Sequence, residues 1–231
     1  METTTTIKTQ VYNLVILDKS GSMESIRQQA IDGYNETLGS IRAAQLKHRD
    51  SQEQFVSLAA FCGCGVDMIY DKTPIKDAEN LTPKQYEPCC VTPLYDAIGM
   101  TVQKLKKDIK DIPDAAVIVT IITDGYENAS KEWKGPDIKK LIDDCKKDGW
   151  VFAFIGAGED IVKVAATISI DNTLLWDKTE EGTDTMFKRS AMAGSRIYEK
   201  IACCMAAPLS ERKKMRRSMA ENYFDEENKE A

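Results

Sequence analysis

Along this chain, short apolar runs alternate with longer stretches in which apolar residues recur every three or four positions. Val11 to Leu17 (VYNLVIL) is a short run followed by Asp18 and Gly21, the pattern of a buried strand. From about Glu24 to Lys47, Ile26, Ala30, Tyr34, Leu38 and Ile41 form one stripe, which predicts an amphipathic helix. Phe55 to Phe61 reads as a second strand. Gly63 and Gly65 punctuate it before a short returning strand, Val66 to Tyr70. A long polar connection, Asp71 to Cys90, precedes a helix carrying Leu94, Ile98, Val102, Leu105 and Ile109.

Ala116 to Ile122 is the most apolar run and is expected at the centre of a sheet. The next helix, Pro136 to Lys147, has proline in its first turn and Ile138, Leu141, Ile142 and Cys145 on one face. The strand WVFAFIG, a short helix (160–167), a short strand (Thr173 to Trp176) and a final helix follow. That last helix has Met186, Ser190, Ala193, Ile197 and Ile201 in register. Apolar strands separated by helices imply an α/β fold: an open, doubly wound, mostly parallel sheet with helices on both faces. Ligands bind such folds beyond the carboxyl ends of the strands, near the switch point of the topology.

Three segments fall there. Asp18-Lys19-Ser20-Gly21-Ser22 follows the first strand and sets three oxygen-bearing side chains in one loop, with Gly21 expected to permit the close turn. Thr92-Pro93-Leu94-Tyr95-Asp96 opens a helix. Thr123-Asp124-Gly125 follows the central strand. Each alone reads equally well as a cap or a turn. Together they bring Asp18, Ser20, Ser22, Thr92 and Asp124, all hard oxygen donors, to one end of the sheet. Such donors suit Mg²⁺, Mn²⁺ or Ca²⁺ rather than Zn²⁺.

The order Asp-x-Ser-x-Ser, then Thr, then Asp-Gly resembles the metal-ion-dependent adhesion site (MIDAS) of von Willebrand factor type A (vWA) domains. VILDKSGSM is similar to that family's first motif, and TPLYDAI and TIITDGYEN resemble the second and third segments of its stand-alone bacterial intracellular members. The resemblance spans roughly Val11 to Met205. It implies that Ser20, Ser22 and Thr92 approach one Mg²⁺ directly, with Mn²⁺ or Ca²⁺ as alternatives. Asp18 and Asp124 would act through water or by direct contact, with Gly21 and Gly125 shaping the ligand-binding loops. It also implies a non-enzymatic module that grips a protein partner through an Asp or Glu carboxylate at the metal.

Composition narrows the alternatives. The 231 residues suffice for one domain, expected over residues 1–207, with a charged tail over 208–231. A net charge of −6 argues against a general nucleic-acid binder. No segment reads as a signal peptide or membrane span, so a cytoplasmic location is expected. The seven cysteines make a poor disulfide framework. Cys62-x-Cys64 and Cys89-Cys90 lack the paired spacing of a zinc site and read as buried reduced thiols. A phosphatase that uses its first aspartate as nucleophile needs a second acid two residues on, where this chain has Ser20. A metal-dependent phosphoester hydrolase, or a scaffold that merely keeps the site, are the alternative readings. The single histidine, His48, lies at the far end of the first helix, too distant to serve as a base. The tail has a basic cluster (Arg212, Lys213, Lys214, Arg216, Arg217) and then an acidic one, and is expected to be a solvated helix or frayed end.

Overall fold

A computed structural model describes residues 7–157, 161–220 and 223–224. Its strands are β1 (Thr9–Asp18), β2 (Gln52–Cys62), β3 (Gly65–Pro74), β4 (Ala115–Thr123), β5 (Val151–Ala157) and β6 (Thr173–Trp176). Its α-helices are α1 (Arg27–Lys47), α2 (Leu94–Asp108), α3 (Gly135–Lys147), α4 (Ile161–Thr167), α5 (Glu180–Cys203) and α6 (Leu209–Ala220). The strands make one sheet in the order β3-β2-β1-β4-β5-β6. All neighbours are parallel except β3, which folds back on β2 as an antiparallel hairpin. This is the open, mostly parallel α/β sheet that the alternation predicts.

Because side chains alternate across a strand, β1 serves two cores at once. Tyr12, Leu14 and Ile16 face α2, α3 and α4, meeting Leu94, Ile98, Ile138, Ile142 and Ala165. Val11, Val15 and Leu17 face α1 and α5, meeting Tyr34, Leu38, Phe187 and Ile197. Each large apolar side chain buried this way contributes about 1.5–3 kcal/mol. The α1–α5 contact is close: a Cβ added to Gly33 would lie 1.9 Å from the Phe187 ring.

The second face also holds buried polar groups, and they satisfy one another. Asn13 Nδ2 donates to Gln54 Oε1 and to the Phe55 carbonyl, both at 3.0 Å. Tyr198 donates its hydroxyl to Asn13 Oδ1 at 2.8 Å, and Gln52 Nε2 donates to the Tyr198 carbonyl at 2.6 Å. Thus α5 is fixed to β1 and β2 by hydrogen bonds as well as by packing. This network also explains why β2 begins at Gln52 rather than at Phe55: Gln52 and Gln54, on the inner face of its first residues, are polar but buried. At the other boundary, a 3₁₀ turn (Gly21–Ile26) precedes α1, which starts at Arg27, three residues later than the expected start at about Glu24.

The tail departs most from expectation. Residues 209–220 form α6, which closes the amino-terminal end of the sheet. Arg212 and Arg216, one helical turn apart, are both buried and place Nη1 atoms 2.7 Å from the two oxygens of buried Asp114. Thr9 adds a 2.6 Å hydrogen bond to the same carboxylate. Tyr223 and Phe224 lie within the α1–α5 core, Phe224 only 1% exposed. A helix with two arginines on its inner face looks solvated in sequence, because its partner lies about a hundred residues away. The acidic residues Asp225, Glu226, Glu227 and Glu230 lie outside the described residues, as does Asp160 of the expected short helix.

Candidate metal centre

From β1 the chain winds outward through β2 and β3; β4 then restarts on the other side of β1 and winds outward through β5 and β6. The switch point therefore lies between β1 and β4. Their register pairs Leu17 with Ile122, which sets Asp18 beside Thr123 at the carboxyl ends. The Thr123 hydroxyl donates to Asp18 Oδ2 at 2.6 Å, and the Ser20 amide donates to Oδ1 at 2.7 Å. Asp18 is fully buried and held at both oxygens.

The other expected residues converge on it. Ser20 Oγ lies 3.1 Å from Ser22 Oγ, and Ser22 Oγ donates to Asp124 Oδ1 at 2.7 Å. A Cβ placed on Gly125 would lie 3.1 Å from Thr92 Oγ1 and 3.8 Å from Asp18 Oδ2. Gly125 thus leaves open a small oxygen-lined cradle that any side chain would fill. Gly21 acts differently from the sequence expectation. Its φ is not positive, and an added Cβ would meet the Cys90 carbonyl only at ordinary contact, 3.4 Å. What Gly21 supplies is its amide, which donates to the Cys90 carbonyl at 3.1 Å.

That bond is one of several holding the loop that carries Thr92. Cys89 N–H donates to the Lys19 carbonyl at 2.9 Å, and the buried Tyr86 hydroxyl donates to the Asp18 carbonyl at 2.6 Å. From the other side, Asn128 accepts the Thr92 amide at 2.9 Å and returns its own amide to the Thr92 carbonyl at 3.2 Å. Glu127 takes the Tyr95, Ala129 and Ser130 amides. Asp96 takes those of Lys131, Glu132 and Trp133. Burial opposes ionisation of Asp96, but these three donors outweigh it and hold its pKa below the ordinary value. Trp133 then seats against Gly99 of α2, where a Cβ would lie 2.1 Å from the ring. Asp96, Glu127 and Asn128 all stand inside the matched segments TPLYDAI and TIITDGYEN, yet only the structure gives them this anchoring role.

The site is electrostatically unbalanced. Burial raises the pKa of Asp18, and the nearby Asp124 charge adds to this, against the hydrogen bonds from Thr123 and Ser20. The Asp124 side chain is 1% exposed, and its Oδ2 receives no directed hydrogen bond among the described residues. What that oxygen has is an ion pair. The Lys178 ammonium, from the loop between β6 and α5, sits on Asp124 Oδ2 and also donates to the Ser22 carbonyl. Lys178 belongs to no recognisable motif, and sequence reasoning missed it. The residues present suit a divalent cation: five oxygen donors, two of them buried carboxylates that share one ammonium among the described residues, and a cradle that only glycine leaves free. His48, by contrast, caps the far end of α1, a helix of about 32 Å.

No family model and no curated protein matches the chain by sequence. Solved structures do match its fold. Proximal thread matrix protein 1 of the mussel byssus, in a form with a zinc-occupied MIDAS motif, is 20% identical. The match covers 78% of this chain and 47% of that one, with a TM-score of 0.56. A second crystal form of the same mussel protein matches at 19% identity over the same shares, also at 0.56. The open conformation of the pilus adhesin SpaC from Lactobacillus rhamnosus GG matches at 14% identity, covering 83% of this chain and 30% of that one, at 0.59. This chain thus spans less than half the length of these proteins. Sheet order, helical layers and these likenesses define an α/β protein of the Rossmann-like class. Within that class its fold is that of the von Willebrand factor type A domain.

Proposed function

We propose that this domain is a divalent-cation-dependent protein-binding module, and that Asp18, Ser20, Ser22, Thr92 and Asp124 hold the cation. One observation carries the reading: five oxygen side chains from three separate loops meet at the switch point around a cradle where two buried carboxylates stand close together and face, among the described residues, a single ammonium, that of Lys178. A divalent cation there, Mg²⁺ by preference with Mn²⁺ or Ca²⁺ as alternatives, would supply a Lewis-acidic position for an anionic oxygen of a partner. Ser20, Ser22 and Thr92 are neutral donors, and with Asp18 and Asp124 acting at least partly through water the ion would remain an acceptor for an Asp or Glu carboxylate. Val91 and Tyr126, each about half exposed, flank Thr92 and Gly125 and offer apolar contact around that carboxylate. None of the seven cysteines is in a disulfide, which suits a reducing cytoplasm.

Calorimetric titration with Mg²⁺ and Mn²⁺, against an Asp124→Ala variant, tests the cation site. Binding to the native chain and none to a folded variant is expected; equal binding by both sinks the assignment. Capture of partners in Mg²⁺ and in EDTA then tests the module. A partner should be lost under EDTA and restored by Mg²⁺, and replacing its contact carboxylate by the amide should weaken it as Asp124→Ala does. Equal capture in EDTA refutes the metal bridge even if the cation site is real.

A further inference from the structure

The cysteines were expected to be buried reduced thiols. Cys62 is buried, but Cys64 and Cys90 are exposed and Cys89 is half-buried. The four come from two places: Cys62 ends β2, Cys64 lies in the β2–β3 turn, and Cys89 and Cys90 lie in the loop that leads to Thr92. The fold brings them together. Cys62 Sγ lies 3.1 Å from Cys89 Sγ, Cys64 Sγ lies 3.7 Å from Cys89 Sγ, and Cys64 Sγ lies 3.4 Å from Cys90 Sγ. The sulfurs of Cys62, Cys64 and Cys89 all lie within 4.8 Å of one another.

We propose that these four thiols form a second metal site, for one thiophilic tetrahedral ion of the Zn²⁺ class, distinct from the oxygen site. The distances match the chemistry. With Zn–S bonds of about 2.3 Å, the edge of a ZnS₄ tetrahedron is about 3.8 Å, so the three contacts need open by less than about 1 Å, while Cys90, outside the group of three that lie within 4.8 Å of one another, must swing inward to become the fourth ligand. The contacts run Cys62–Cys89–Cys64–Cys90, each inner sulfur touching two others, which is a cluster and not two pairs set for disulfides. Four thiolates around a divalent ion leave net negative charge. Lys19, whose ammonium pairs with Asp67, also lies in the field of Cys62 and Cys89 and offsets part of it. Exposure of Cys64 and Cys90 leaves the ion a way in from solvent. Soft sulfur and hard oxygen sort the cations between the two sites. The thiolate ion would staple the β2–β3 hairpin to the loop that presents Thr92. Cys90 holds a left-handed backbone (φ 61°) that an L-residue rarely adopts, and ligation of its sulfur would help to fix that turn.

The test uses the full chain, purified under reductant, stripped of metal and titrated with Co²⁺ in excess Mg²⁺ to keep the oxygen site filled. One equivalent of Co²⁺ should give the intense visible and thiolate charge-transfer absorption of a tetrahedral tetrathiolate, and one equivalent of Zn²⁺ should bleach it. Asp124→Ala should leave this signal intact. The exposed pair Cys64→Ser/Cys90→Ser should abolish it and weaken Zn²⁺ binding by roughly 100-fold or more, since losing even a group behind a ligand costs 10–100-fold. Circular dichroism verifies that the double variant is folded, and Cys64→Ser alone serves if it is not. The proposal is overturned if Co²⁺ gives only the weak absorption of oxygen ligation, if Asp124→Ala removes the signal, or if the cysteine variants keep it.

Discussion

Removing everything after Ala207 should cost this domain much of its stability, although those residues read in sequence as a solvated tail. The deletion removes the Tyr223 and Phe224 side chains from the α1–α5 core. At about 1.5–3 kcal/mol for each buried ring, that is about 3–6 kcal/mol. It also strips Asp114 of both arginines. A buried charge left alone costs about 3–5 kcal/mol, but here water enters as α6 leaves, so about 1–2 kcal/mol is expected to remain. Chain entropy regained on release offsets part of both, giving a net loss of about 3–5 kcal/mol. For a domain of this size the thermal midpoint should fall by on the order of 10 °C. Calorimetry of the two forms measures it, with Phe224→Ala, expected to lose about 3 kcal/mol, separating the ring from the ion pairs. The pH dependence carries a sign. Burial opposes ionisation of Asp114, but Thr9, Arg212 and Arg216 outweigh it and depress its folded pKa. Its contribution is complete above the unfolded carboxylate pKa of about 3.9 and is lost as pH falls through the lower folded value. The difference between full-length and truncated chains should therefore shrink in acid below about pH 4. A truncated chain melting within about 2 °C of the full one at neutral pH would refute the argument.

Two further outcomes follow from single contacts. Lys178→Ala removes a tethered cation from Asp124, so Mg²⁺ affinity measured calorimetrically should rise about three- to tenfold, the pair being partly open to solvent; unchanged or weaker binding would show that the ammonium does not compete. Gly33→Ala gains up to about 1 kcal/mol of helix propensity but drives a Cβ into Phe187, a clash of about 1–3 kcal/mol, so urea unfolding should show net loss. Gly39→Ala, with nothing within 4 Å, should instead stabilise; identical effects at both positions would rule out the packing explanation.

The fold and the oxygen-rich loops were legible because the relevant signals are local. Strands such as Val11 to Leu17 are contiguous apolar runs, and Asp18, Ser20 and Ser22 share one loop. Thr92 and Asp124 could be added because strand ends gather in one place. What escaped reading depends on pairings across the chain. Lys178 reaches Asp124 from a loop with no motif of its own. Arg212 and Arg216 look like solvated charges until Asp114 is set beneath them. Cys62 and Cys64 meet Cys89 and Cys90 only because the β2–β3 turn abuts the loop leading to Thr92, a neighbour relation that spacing does not encode. Gln52 and Gln54 are polar residues in a buried strand, acceptable only because Asn13 and Tyr198 answer them.

The ring of Phe187 resting on Gly33 also limits how α1 and α5 can move. One turn along α1 in either direction the ring would face Gln29 or Thr37, and neither leaves the notch that glycine does. Phe187 therefore works as a key with a single keyhole. Sliding of α5 along α1 has no second resting position, and any displacement must lift the helix away from its partner rather than shift it by a turn. A signal passed from the loops at one end of the sheet to α5 would then travel as a hinge-like opening, not as a ratchet.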